Sequence, residues 1–194
     1  MKTVDFYFDL SSPYSYLAAT QLGPAAARHG AAIAWKPVVL AAVFKATGNV
    51  MPAACAAKAQ HMLVDLGRWA KRYEVPFAMS SHFPLNAIKP ERLIVAAGAS
   101  GRAGDLALAL FRGMWAEDRN IADEPVMRAI AEAQGLDANA LLAAIDTQPV
   151  KDGLRANTDE AIARGMFGAP AMFVGTELFW GNDRLDFVED ALRA

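Results

Sequence analysis

The chain has 194 residues, 54% of them hydrophobic and 21% charged, with a formal net charge of −2. That length suits one domain, or one domain carrying a large insertion, and the apolar content supports a packed core rather than a disordered chain. Lys and Arg are scattered instead of forming a basic stripe, and no apolar run reaches transmembrane length, so neither a nucleic-acid partner nor a membrane span is expected.

Thr3 to Asp9 alternates Val4, Phe6 and Phe8 as a short buried strand does. Strand-like residues this close to Met1 leave no room for a signal peptide. Ser12 and Pro13 then open a helix as N-cap and first helical residue, and Gly30 stops it. Ala32 to Val39 is a second strand, followed by the helix-prone Leu40 to Lys45. From Ala46 to Gly153 no strand is predicted. Pro52 to Tyr73 is helical, with Met62, Leu63, Leu66 and Trp69 as its apolar stripe, and a loop over 74–86 contains Phe77 and Phe83. Further helices are predicted over 89–99, 104–115, 124–134 and 137–147. Leu154 to Arg164 is another helix, Ala171 to Val174 a strand, and Gly175 to Glu177 the turn of a hairpin into Leu178 to Trp180. A final helix follows, with Asp183 as a plausible N-cap.

Without its middle run of helices the order is β-α-β…α-β-β-α. The fold class read from this is α/β: a thioredoxin-like fold, residues 1–45 and 154–194, with an all-helical domain, 46–153, inserted between its halves. In thioredoxin-like redox enzymes the first strand runs into a C-P-x-C turn. Here Ser12-Pro13-Tyr14-Ser15 occupies that frame. The single cysteine of the chain, Cys55, can form neither an intrachain disulfide nor a C-x-x-C pair. Disulfide exchange needs a thiolate and is excluded, and a reducing cytoplasm is the expected setting.

What remains at Ser12 is an anion site. A helix N-terminus presents unpaired N–H groups and partial positive charge, and a thiol held there is favoured as thiolate. The plainer reading is an ordinary N-cap, worth about 1 kcal/mol to the helix. Gly168-Ala169-Pro170 lies where thioredoxin folds place a cis-proline facing the first helix, and the backbone of Ala169 could there pair with a peptide-like ligand. A trans-proline opening an edge strand is the commoner alternative. Asp183 could accept an ammonium group while Asn182 helps to hold a carboxylate. Neither the three histidines nor Cys55 form a cluster of metal-ligand spacing, so no metal site is expected. Asp9, at the strand end beside the first helix, could tune the site, with an exposed or helix-satisfying aspartate as the plainer reading, and Arg68 reads as structural, a partner for Asp65 or a neighbouring carboxylate.

Six segments together resemble the 2-hydroxychromene-2-carboxylate isomerase family, kin of the kappa-class glutathione transferases. They are F-D-x-x-S-P-Y-S-Y-L around Ser12, G-N-x-x-P at Gly48 to Pro52, D-L-x-R-W-A at Asp65 to Ala70, F-P-L-N at Phe83 to Asn86, F-G-A-P at Phe167 to Pro170, and W-G-N-D-R-L at Trp180 to Leu185. The resemblance implies glutathione as cofactor and Ser12 as the catalytic residue that activates its thiol. It implies that Pro13, Tyr14, Asn49, Ala169, Pro170, Asn182 and Asp183 also bind glutathione, that Phe83, Asn86 and Trp180 border a small aromatic substrate, and that the chain forms a homodimer. The implied reaction converts 2-hydroxychromene-2-carboxylate to trans-o-hydroxybenzylidenepyruvate by reversible thiolate addition, rotation and elimination, in aromatic hydrocarbon catabolism. A kappa-like transferase conjugating small electrophiles, or a non-catalytic glutathione- or peptide-binding module, would use the same pocket. Lys45, Lys89 and Arg92 are the cations offered to a substrate carboxylate.

Overall fold

Alternation along β1 (Thr3–Phe8) sends Val4, Phe6 and Phe8 to one face of a sheet and Tyr7 to the other, all four fully buried. A computed structural model describes residues 1–194. After β1 come α1 (Pro13–Arg28), β2 (Ala32–Pro37), α2 (Leu40–Thr47), a 3₁₀ turn at Pro52–Ala54 and α3 (Ala56–Arg72). Four helices follow, α4 (Ile88–Ala97), α5 (Ala103–Trp115), α6 (Glu124–Ala133) and α7 (Ala138–Ala144), with a 3₁₀ turn at Gly98–Ser100. The chain closes with α8 (Gln148–Ala163), β3 (Ala171–Val174), β4 (Glu177–Trp180), a 3₁₀ turn at Asn182–Arg184 and α9 (Leu185–Arg193).

The four strands lie in the order β2-β1-β3-β4. β1 pairs in parallel with β2, Phe6 opposite Trp35, and antiparallel with β3, Phe6 opposite Met172. This is the thioredoxin-like arrangement expected from the element order. It places the start of α1 beside the loop that enters β3, because both lie at the same end of the two central strands.

The two faces of the sheet carry separate cores. On one, Phe6 and Phe8 stack with centroids 5.1 Å apart, Trp35 stands edge-on to Phe6 at 5.3 Å, and Phe8 meets Phe111 of α5 at 5.4 Å. That core runs on through Leu93, Ile94, Leu110 and Trp115 of the inserted helices. On the other face Tyr7, Val38, Val43, Ala161 and Phe173 pack beneath α2 and α8. The boundaries expected at 45/46 and 153/154 fall inside continuous helices, α2 and α8.

Two local expectations are corrected. Leu63 is not part of the apolar stripe of α3: it is 54% exposed, as is Val64, while Leu66 and Ala70 are the buried residues of that helix. Asp183 does not cap α9. It lies within the 3₁₀ turn, and the helix begins at Leu185 without a side-chain cap.

Glu189 clips α9 to the end of α1, accepting from the Arg28 guanidinium at 2.6 Å and meeting His29 at 3.0 Å. These partners, Arg28 foremost, hold its carboxyl down at about 2. A depressed carboxylate contributes stability above the ordinary value and loses it as pH falls toward the folded-state value. Since Arg28 is mostly exposed, solvent screening limits the gain to about 1 kcal/mol or less. Urea midpoints for Glu189→Gln should therefore lie below the parent at pH 6 and converge with it between pH 4.5 and 2. A constant gap across that window would assign the clip to packing instead of charge.

Candidate functional site

Ser12 is itself extended (φ −96°, ψ 111°) where it caps α1, and its Oγ accepts from Ser15 N at 3.2 Å. Pro13 takes the first helical position, where its missing N–H removes no intrahelical bond. The first turn of α1 carries no acidic residue, so its own side chains do not cancel the positive end of the helix. Ser12 is nearly buried, and its hydroxyl donates to the carbonyl of Ala169 at 3.4 Å. A bond that long is weak and leaves the proton free to turn to another acceptor. Ser15, in the place of the second cysteine of a redox pair, is fully buried, and its Oγ has no hydrogen-bond partner.

The loop facing Ser12 is held from several sides. The Ala169–Pro170 peptide is cis, and the N–H of Ala169 makes no backbone hydrogen bond. Pro170 O accepts from Gly181 N at 3.1 Å, which brings the segment carrying Asn182 and Asp183 alongside. Asn49 donates from Nδ2 to Phe167 O at 2.8 Å, tying the entry to the helical insertion to the same loop. A Cβ on Gly168 would lie 2.8 Å from Trp180 Nε1, so glycine here lets the indole approach the backbone. Phe167 and Trp180, with centroids 4.9 Å apart, are both substantially exposed.

Two contacts from α3 brace this arrangement. Tyr14 donates to Asp65 Oδ2 at 2.9 Å, and burial followed by the Asp65 carboxylate pushes its phenol well above the usual range. Asp65, one of the carboxylates offered to Arg68, is the acceptor for Tyr14. Tyr73 donates to Asn182 O at 2.6 Å, and burial raises its phenol as well. Asn182 is buried, and the one bond of its Nδ2, to Tyr73 Oη, is long at 3.5 Å. Asp183 is paired with Arg184 at the surface.

Ser12, Pro13, Tyr14, Asn49, Ala169, Pro170, Asn182, Asp183 and Trp180 thus belong to one connected set of segments. Phe83 and Asn86 make their contacts elsewhere: Phe83 packs on Trp115 at 6.0 Å, and Asn86 Oδ1 accepts from Ile88 N at 3.1 Å. Phe83 is linked to the turn before Ser12 through Trp115, whose Nε1 donates to Leu10 O at 2.9 Å. Of the cations considered, Arg92 is paired with Asp146 at 3.1 Å, while Lys45 and Lys89 are exposed and form no ion pair. Cys55 is an exposed free thiol at the start of α3, drawn down by the Lys58 N–H. No helix is long and apolar enough to cross a membrane, and no group of three or more His, Cys, Asp or Glu side chains could hold a metal ion.

Across 193 residues the chain is 37% identical to a 2-hydroxychromene-2-carboxylate isomerase from Sphingobium xenophagum, covering 98% of each protein. The chain belongs to that family. Residues 3–193 also match the DSBA-like thioredoxin domain, the wider group in which this isomerase family falls. The solved structure of a 2-hydroxychromene-2-carboxylate isomerase superimposes with a TM-score of 0.91 at 33% identity, over 98% of this chain and 94% of that one. A kappa-class glutathione transferase, kappa 2 of Caenorhabditis elegans, is 30% identical over 98% of this chain and 92% of its own. The isomerase and kappa-transferase resemblance drawn from the six sequence segments therefore holds over the full fold. Ser12 and Ser15 stand where the redox members of the wider group carry cysteines, so this isomerase-family chain has kept the helix N-terminus without the thiols.

Proposed function

We propose that this isomerase-family enzyme uses glutathione as its cofactor and that Ser12 stabilises the cofactor thiolate at the N-terminus of α1. The observation that carries the reading is a weakly held Ser12 hydroxyl next to Ala169, whose N–H makes no backbone hydrogen bond, at the N-terminus of a sixteen-residue helix with no acidic residue in its first turn. A tripeptide thiol fits these groups: its cysteinyl unit would pair with the Ala169 backbone beside Pro170, its sulfur would meet Ser12 over Pro13 and Tyr14, and its γ-glutamyl end would meet Asn182 and Asp183. Asn49 would border the same ligand. When bound, glutathione supplies a nucleophilic sulfur that can add reversibly to a conjugated carbonyl compound and so allow isomerisation about a double bond.

The residues of the chain do the rest. The Ser12 hydroxyl and the positive end of α1 hold negative charge on sulfur without taking a proton from solvent. Ala169 orients the cofactor backbone, which makes attack effectively intramolecular. Trp180, Phe83 and Asn86 are assigned to the aromatic substrate, 2-hydroxychromene-2-carboxylate, whose product is trans-o-hydroxybenzylidenepyruvate in aromatic hydrocarbon catabolism. A cytoplasmic setting, where free thiols persist, suits the reading.

Spectrophotometric isomerisation of 2-hydroxychromene-2-carboxylate tests it. Turnover should require glutathione, and the glutathione concentration should be unchanged at completion. A glutathione conjugate as product would instead place the chain with the kappa transferases, and turnover in thiol-free buffer would remove the cofactor assignment. We also assign the exposed apolar residues Val50, Met51, Leu63 and Val64 at the entry to and along α3 to contact with a second copy of the chain. Sedimentation at twice the chain mass, reduced to one chain mass by Leu63→Asp, is the expected result, and a monomeric parent would refute the assignment.

A further inference from the structure

The turn that aims Ser12 is tied to the helical insertion through a carboxyl group that the proposed chemistry does not use. Glu91, on the first turns of α4, is 1% exposed. Its Oε1 accepts from Leu10 N at 3.3 Å. Its carboxyl also faces that of Asp9, within hydrogen-bonding reach. Asp9, itself 6% exposed, is already an acceptor three times over: Oδ1 takes Ser11 N at 2.8 Å and Ser11 Oγ at 2.6 Å, and Oδ2 takes Leu40 N at 2.9 Å. All three of these bonds use Asp9 as an acceptor. Two buried like charges in contact are not sustained, so the proton resides on Glu91. Burial, and then the Asp9 charge, raise the Glu91 carboxyl far above its ordinary value. Glu91 is thus held neutral, accepting from Leu10 N and set against the Asp9 carboxyl, so that the inserted helices contact the residues that precede Ser12.

We propose that Glu91 is a positioning residue for the glutathione site, holding the Asp9–Ser11 turn from the inserted helices so that the Ser12 hydroxyl and the first N–H groups of α1 meet the cofactor sulfur. The inference rests on the glutathione reading given above. Leucine at position 91 keeps the volume and leaves both Leu10 N–H and one face of Asp9 without a partner. Glutamine keeps both bonds, its carbonyl for Leu10 and its amide N–H for Asp9, and adds no charge.

The test compares the full-length parent, Glu91→Leu and Glu91→Gln by calorimetric glutathione binding, by ultraviolet titration of the bound thiol, and by amide hydrogen exchange over residues 9–12. In Glu91→Leu, glutathione should bind about tenfold to a hundredfold more weakly, the bound thiol should titrate at higher pH, and the 9–12 amides should exchange faster. Glu91→Gln should match the parent within about threefold in all three. A folded Glu91→Leu protein with parental binding, titration and exchange overturns the proposal. Should that variant fail to fold, Glu91→Gln decides: parental behaviour supports the proposal, and a folded Gln variant that has lost glutathione affinity or thiolate overturns it. A parent that binds no glutathione defeats the cofactor reading itself, and the exchange comparison then still reports whether Glu91 holds the turn.

Discussion

Replacing Ser12 with alanine is expected to lower kcat/KM for glutathione-dependent isomerisation by about 10²- to 10³-fold, the range seen when one preorganised donor to a developing anion is removed. The side chain is small, and its internal bonds are one cap bond at 3.2 Å and one long bond at 3.4 Å. Losing the cap costs about 1 kcal/mol of stability, so the variant should fold and its melting temperature should fall by only a few degrees. Catalysis should respond more than stability because a bound sulfur would be a better acceptor for the hydroxyl than the Ala169 carbonyl, which lies 3.4 Å away. Bound glutathione should titrate at higher pH in Ser12→Ala than in the parent, each unit of difference corresponding to about 1.4 kcal/mol of lost thiolate preference. Ser12→Cys supplies a complementary result: it restores one thiol of the redox frame opposite Ser15 and should still fail at insulin reduction, since no second thiol is present to resolve a mixed disulfide. Parental turnover in Ser12→Ala would leave the hydroxyl as a cap and nothing more.

Phe8→Ala should destabilise the chain by about 3–5 kcal/mol. Phe8 is fully buried at the end of β1, between Phe6 and Trp35 of the thioredoxin-like half and Phe111 of the inserted helices. Its removal opens a cavity where both parts of the chain share one core. For a protein of this size the melting temperature should fall by roughly 6–20 °C. The transition should remain single, with far- and near-ultraviolet circular dichroism coincident, because α5 and the sheet have no separate cores there. Two resolved transitions would show that the insertion is an independent folding unit.

The two expectations depend on different levels of information. Ser12 was legible in the sequence because capping is local: Ser-Pro after an alternating strand defines both the helix start and the orientation of the cap. The order of strands and helices, the S-P-Y-S frame, the Ala169–Pro170 loop and the W-G-N-D segment were legible for the same reason. Each is a short-range pattern of strand alternation, caps and turns, and together they were enough to indicate the family. The bracing residues were less so. Tyr14 and Asp65 lie 51 residues apart, and Tyr73 and Asn182 109 apart, and the available motifs give no signal for who pairs with whom. Tyr73 carries no motif of its own and went unread.

The apolar stripe of α3 shows where periodicity alone misleads. Met62, Leu63, Leu66 and Trp69 fit helical spacing, yet only Leu66 is fully buried and Leu63 faces outward with Val64. Periodicity identifies a helix with an apolar side, and what that side meets depends on which elements pack against it. Helices likewise run through the expected domain boundaries. Continuous helices cross both expected positions, since helix propensity continues wherever side chains permit, irrespective of which core each turn joins.

Asp9 and Glu91 mark the limit most clearly. Read along the chain, Asp9 is best placed in solvent or at a helix end, with a role beside Ser12 as the alternative, and Glu91 carries no signal. Folding places them against each other in the interior, 82 positions apart in sequence, where one must keep a proton and the other gathers three donors. The thioredoxin-like order, the missing redox thiols and the helix N-terminus at Ser12 follow from neighbouring residues and their backbone preferences, and so can be read from the chain alone. Which buried polar groups meet around that turn emerges only when the chain folds. The charge state of an acid depends on the dielectric and the partners around it, and those are supplied by segments that are distant until the chain folds.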